Sequence, residues 1–228
     1  SQPGRVFLAL RFCKQKVSCV ISMAVHYRTE GVVLAAKNRG EADRSFTIYT
    51  KDFGKLELWA ISERKITSKL RGGLEKLCWS EIEFINGKSR KTLTDSSLKE
   101  RYHNIRNNLQ KLRVATRMAE TLDETTSKEE PDKTALLLLL DSFSCLNNPQ
   151  FPASSFRLLY YYFFWNLFSH LGWRPDLALH SFELRLILQG FLAKNISLLY
   201  TLQIEKGTMK ALHEAARSYY LSVIKEVQ

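Results

Sequence analysis

The sequence predicts an α+β protein, with an N-terminal five-stranded OB-fold barrel followed by an all-α C-terminal domain. Three observations carry this. Short stretches of alternating apolar and polar residues recur between positions 26 and 95, separated by turns rich in Gly. Beyond them the apolar period lengthens to three and four, which is helical. Cations gather at the breaks between the alternating stretches, so the first half combines strand patterning with basic turns.

The elements follow in order. Glu30 to Ala35 alternates as a strand and runs into a turn from Lys37 to Arg44. Phe46 to Thr50 is a second strand, Lys51 to Lys55 a second turn, and Leu56 to Ile61 a third strand. A basic segment from Arg64 to Gly73 follows. Leu77 to Ile85 alternates again, Asn86-Gly87 reads as a tight hairpin turn, and Lys88 to Asp95 returns as a fifth strand. A helix is predicted from Leu98 to Leu122, capped by Ser96 or Ser97. Glu124 to Lys133 is a polar loop, with Pro131 in the first turn of the next helix. Helices are expected over 134–146, 154–171, 182–192, 196–204 and 208–227. The domains so defined are residues 24–96, the barrel, and 97–228, the helical domain. Residues 1–23 are expected as an extension outside the fold.

The chain has 228 residues and a formal net charge of +11. Residues 1–97 carry 18 Lys and Arg against 10 Asp and Glu, and the remainder 16 against 13. The excess therefore sits on the barrel half, and its natural partner is a polyanion. Lys37, Arg39, Arg44, Lys55, Arg64, Lys65, Lys69, Arg71, Lys88, Arg90 and Lys91 form the candidate contact set, since phosphate contacts dominate nucleic-acid affinity. Tyr49, Phe53, Trp59 and Trp79 are candidates for base stacking, with about half expected to point into the barrel instead. The run Tyr160 to Trp165 lies among leucines and reads as a buried helix.

No catalytic constellation stands out. Gly87-Lys88-Ser89 ends like a phosphate-binding loop, but Ile82 occupies the position of its first Gly. The five histidines fall at no metal spacing, and the four cysteines form no CxxC pair. Glu81 and Glu83 share one face of a strand and read as solvated sheet residues. No apolar run reaches the ~18 residues a membrane span needs.

The barrel half resembles the N-terminal domain of RecO, the bacterial recombination mediator family. The resemblance lies in Glu30-Gly31-Val32-Val33-Leu34, Gly40-Glu41-Ala42-Asp43-Arg44 and Tyr49-Thr50-Lys51-Asp52-Phe53-Gly54-Lys55-Leu56, followed by the basic segment. Leu171-Gly172-Trp173-Arg174-Pro175-Asp176-Leu177 is similar to the family's L-G-[YF]-x-P-x-L element. The resemblance implies a non-catalytic DNA-repair factor that binds single- and double-stranded DNA and anneals complementary strands. It further implies contact with the acidic tail of the single-strand-binding protein, pairing with RecR to load recombinase, and a cytoplasmic, nucleoid-associated setting. Many members carry a four-cysteine zinc site after the P-x-L element. No cysteine follows Cys145 here and His180 stands alone, so no cofactor is expected and the stretch from Leu177 to Leu188 departs from the family pattern. Two other readings of the residues stay open: an RNA-binding barrel, and a protein-assembly adaptor with incidental basic charge.

Overall fold

Five strands close into a barrel in a computed structural model that describes residues 25–65 and 68–227. They are β1 (His26–Arg39), β2 (Asp43–Thr50), β3 (Gly54–Ala60), β4 (Trp79–Asn86) and β5 (Lys91–Glu100), in spatial order β1-β2-β3-β5-β4. All neighbours are antiparallel except β3 and β5, which meet in parallel at Trp59 and Thr92. The extension read at residues 1–23 lies outside the described residues.

Alternation fills the barrel. Val33, Phe46, Ile48, Leu56, Leu58, Ile82, Phe84 and Leu93 point inward and are buried. The basic segment after β3 folds as a 3-10 turn, Lys69–Gly72, and lays Leu70 and Leu74 against this interior. The segment thus closes the barrel at one mouth.

Several boundaries differ from the sequence reading. β1 continues through Lys37 to Arg39, so these residues belong to a strand and the turn is confined to 40–42. The hairpin after Asn86 is a four-residue connection, with Gly87 N–H donating to Arg90 O at 3.1 Å. Gly87-Lys88-Ser89 therefore lies in a strand–turn–strand unit. β5 runs through Leu98 to Glu100, where a helix was expected. Leu98 matched the helical period by coincidence, and pairing with Ser80 on β4 holds it in the sheet.

The helices are α1 (His103–Arg106), α2 (Leu109–Thr125), α3 (Lys133–Asn147), α4 (Phe156–His170), α5 (Phe182–Leu192), α6 (Leu198–Thr201) and α7 (Lys206–Val227). Asn108 caps α2 by accepting from Gln110 and Lys111 N–H. Asp132 caps α3 by accepting from Ala135 N–H at 3.0 Å, which places Pro131 just before the cap rather than inside the helix. Only Leu198–Thr201 of the stretch 196–204 is helical. α4 is buried along almost its whole length, Tyr160 to Trp165 included, and packs on α2, α3, α5 and α7. It ends at Gly172, whose φ of +96° is left-handed, with Trp173 N–H donating back to Phe168 O at 2.9 Å.

The two halves share a core. Val32, Leu34, Tyr49 and Leu77 lie on the outside of the barrel, and all four are buried with the side chains of α2, α3 and α4. Tyr102, at the junction, packs edge-on against Phe143 with ring centroids 5.4 Å apart.

Candidate nucleic-acid interface

A bulge in β1 decides which way the cations point. The register against β2 shifts between Val33 and Ala35. Because strand side chains alternate, one inserted residue reverses the parity of everything after it. Val33 faces the interior. Beyond the bulge Ala36 pairs with Phe46 inside, while Lys37, opposite Ser45, and Arg39, opposite Asp43, stand on the outer face. Ser45 in turn pairs with Trp59 of β3, which brings Trp59 onto the same face.

Trp59 is the centre of this face. The Arg90 guanidinium lies 4.4 Å from its ring centroid and that of Arg39 lies 5.7 Å away. Arg39 Nε donates to Ser45 Oγ at 3.1 Å, and its terminal nitrogen sits 3.3 Å from Glu57 Oε1, which holds the side chain across the strands.

Asp43 organises the upper edge. Its Oδ2 accepts from Trp59 Nε1 at 3.1 Å, and its Oδ1 accepts from Ser62 N–H at 2.8 Å. These bonds, Ser62's first, hold the Asp43 carboxyl below its ordinary pKa, with Arg90 and Lys65 adding a smaller push in the same direction. Ser62 itself is left-handed, with φ 54°, and Arg64 N–H donates to Ala42 O at 3.0 Å. The turn after β3 is therefore pinned beside the β1–β2 turn. Arg64 reaches Gly40 O at 3.2 Å, and Lys65 stands exposed next to it.

Lys37, Lys65 and Lys88 are exposed, and no carboxylate pairs with them among the described residues. Together with Arg39, Arg64 and Arg90 they surround or flank Trp59. The side chains of Lys69 and Arg71 lie outside the described set.

Three of the candidate cations serve inside the molecule instead. Lys55 is 12% exposed, and its Nζ lies 3.2 Å from Asp123 Oδ1 at the end of α2. Lys91 pairs with Glu129 of the loop before α3. Arg44 turns toward the barrel mouth, donates to Asn38 Oδ1 at 2.9 Å and approaches Glu63 Oε2 at 3.3 Å. Charge counts along the chain cannot separate these from the free cations, because the acidic partners of Lys55 and Lys91 come from the helical half.

Of the four aromatic candidates only Trp59 occupies the basic face. Tyr49 is fully buried between barrel and helices. Phe53 packs edge-on with Tyr27 and Phe84 at 5.7 and 5.4 Å. Trp79 packs against the helical core. Asp43 is the functional residue that pattern reading left without a role; its turn position and the Trp five strand-residues from Gly54 were the available signal.

The family's zinc site has no counterpart in these residues. Among the described residues no three His, Cys, Asp or Glu side chains converge, and the described cysteines, Cys78 and Cys145, stand apart at the barrel edge and on α3. Nor is any described helix long and apolar enough to cross a membrane.

Comparison with known proteins now adds to this geometry. The model of the recombination protein O N-terminal domain matches residues 23–102, and that of its C-terminal domain matches residues 106–183. The DNA repair protein RecO of Dehalococcoides mccartyi strain BAV1 is 34% identical over 151 residues, which are 66% of this chain and 58% of that protein. RecO of Acetivibrio thermocellus is 28% identical over 203 residues, covering 85% of this chain and 77% of the relative. RecO of Moorella thermoacetica is 33% identical over 133 residues, or 58% and 50% of the two chains. The chain thus matches a little over half the length of the Dehalococcoides relative. A five-stranded barrel and a helical half, each matched by its own family model, identify this chain as a member of the RecO family of DNA repair proteins.

Proposed function

We propose that this chain is a non-catalytic DNA-binding factor that anneals complementary single strands and helps to load recombinase at gaps during repair. The observation that carries the reading is Trp59 held between Arg39 and Arg90 on an outer face bordered by Lys37, Arg64, Lys65 and Lys88. An aromatic ring among cations suits a single strand, with the ring stacking on a base and the cations meeting phosphates. Annealing follows from charge neutralisation. A strand whose phosphates are screened repels its complement less, while the bases away from Trp59 stay free to pair.

The test is a titration with a fluorescent single-stranded oligonucleotide across a range of salt. A Lys37/Arg64/Lys65/Arg90→Glu variant is expected to bind weakly. Each lost phosphate contact should also flatten the slope of log K against log salt by about 0.7. Unchanged affinity and slope would remove this face from the reading. Strand annealing by the unaltered chain, measured with complementary oligonucleotides, tests the activity itself.

Family membership further supports partners in the single-strand-binding protein and in RecR. For the acidic tail of the former, the helical half offers a cleft of about 380 Å³ between α2, α4 and α7, with Arg117, Arg217, Tyr160 and Phe164 among its walls. Arg117 lies 4.3 Å over the Tyr160 ring. An acidic peptide ending in an apolar residue should bind there and lose affinity on Arg117→Glu, read by fluorescence polarisation.

A further inference from the structure

The bulge that turns Lys37 and Arg39 outward turns Asn38 the other way, into a cleft at the barrel mouth. This cleft has a volume of about 480 Å³, within the range of small-molecule sites. Asn38, Arg44, Glu63, Leu74 and Lys76 are among its walls. Glu63 is 2% exposed, and its Oε2 has no hydrogen-bond partner among the described residues, although Arg44 lies 3.3 Å away out of line. A buried carboxylate oxygen without a donor is costly, by about 1–3 kcal/mol or more for a charged group. The neighbouring acid does not share this state, because Glu75 is held by Arg101 at 3.3 Å and Arg106 at 3.2 Å. The vacancy therefore calls for hydrogen-bond donors at one place.

Charge narrows what can enter. A phosphate would meet Glu63, and a metal ion would meet the Arg44 guanidinium beside a single carboxylate. A neutral group with donors next to an acceptor meets neither obstacle. Among the nucleobases only guanine presents two adjacent donors, N1–H and N2–H, with the O6 acceptor beside them. The carboxylate can take both donors, and the Arg44 or Asn38 N–H groups can meet O6. The cleft also opens beside the basic face. Lys37 and Arg39 flank Asn38 in sequence, and Arg64 and Lys65 follow Glu63 directly.

We propose that the barrel-mouth cleft receives an unstacked guanine from the single strand bound on the outer face, with Glu63 as the acceptor of its Watson–Crick donors. The inference rests on the DNA-binding reading above. It gives a binding mode otherwise directed at phosphates a preference for strands carrying an unpaired guanine.

The experiment uses the full chain and fluorescein-labelled oligothymidylate carrying one central guanine, inosine or adenine, read by anisotropy. The guanine strand is expected to bind about tenfold tighter than the uniform strand, the scale of one bidentate base contact. Inosine, which lacks the N2 amino group, should recover only part of this gain, and adenine none. Glu63→Gln should abolish the preference while leaving affinity for the uniform strand little changed. The inosine comparison needs no variant, so it stands even if Glu63→Gln fails to fold. Equal binding of all strands by the unaltered chain would overturn the inference and leave the DNA-binding reading intact. Failure to bind any strand would sink both. A preference that survives Glu63→Gln would overturn the assignment to this cleft, as would free deoxyguanosine monophosphate competing as well as the strand does.

Discussion

Lys55 Nζ, on the third barrel strand, lies 3.2 Å from Asp123 Oδ1 at the end of α2, and it also donates to the Asp123 backbone carbonyl. This pair is one of several ties between the β2–β3 turn and the loop that precedes α3. Glu129 N–H donates to Lys55 O at 3.1 Å, Lys91 pairs with Glu129, and Gly54 lies against the backbone of Glu130. The polar loop is thus a strap that fastens the helical half onto the barrel, and its charges serve the fold.

Lys55→Met keeps the aliphatic stem and removes the charge. It should cost about 1.5–3 kcal/mol, the scale of a hydrogen bond to a charged group, in urea denaturation. Affinity for single-stranded DNA and its salt slope should stay as they are. A flattened slope would return Lys55 to the phosphate contacts.

Gly54→Ala should be more damaging. Gly54 has φ +65°, and an added Cβ would sit 2.2 Å from Glu130 O. Backbone strain of this kind costs about 1–3 kcal/mol before the clash is counted. A midpoint in urea close to that of the unaltered chain would show that the strap yields.

Tyr49→Phe should be neutral or stabilising by about 1 kcal/mol. The Tyr49 hydroxyl is buried without a partner among the described residues, so its removal spares a desolvated polar group. The same burial, with Asp132 and Glu130 nearby, pushes its phenol up to about 12. A loss of stability would mean that the hydroxyl makes a contact of its own.

Trp59→Ala tests stacking apart from charge. It should weaken single-strand binding by about 1–3 kcal/mol, read by anisotropy, with the salt slope preserved. Trp59→Phe should recover part of the loss. An alanine variant with unchanged affinity would reduce Trp59 to a spacer between Arg39 and Arg90.

Asp43 links the same face to pH. Its carboxyl titrates below the ordinary value of 3.8 because Ser62 N–H and Trp59 Nε1 donate to the charged form. A lowered folded pKa means that the stabilisation is fully present above the unfolded value and is lost as pH falls through the folded one. Thermal melts of the unaltered chain should decline below about pH 4. Asp43→Asn should start lower and show a shallower acid limb. Parallel curves would assign the acid sensitivity to other carboxylates, such as Glu83 with its His26 and Thr94 bonds.

Much of the fold was legible in the chain because it depends on local rules. Alternation in Phe46 to Thr50 and Leu56 to Ala60 marks strands that must bury one face, and the leucine and aromatic density of α4 marks a helix buried on all sides. The helix expected from Leu98 failed because period alone cannot weigh a competing partner strand, here β4. The basic set on the barrel half was also legible, as a set.

The sequence by itself determined five strands followed by helices, a buried aromatic helix and an excess of positive charge on the first half. Only the tertiary structure decided which charges are free. A bulge after Val33 reverses the parity of β1 and sends Lys37 and Arg39 outward and Asn38 into the mouth. Carboxylates from the helical half, Asp123 and Glu129, occupy Lys55 and Lys91. Both effects arise between segments far apart in the chain, where register and partner are fixed by packing rather than by the identity of neighbouring residues.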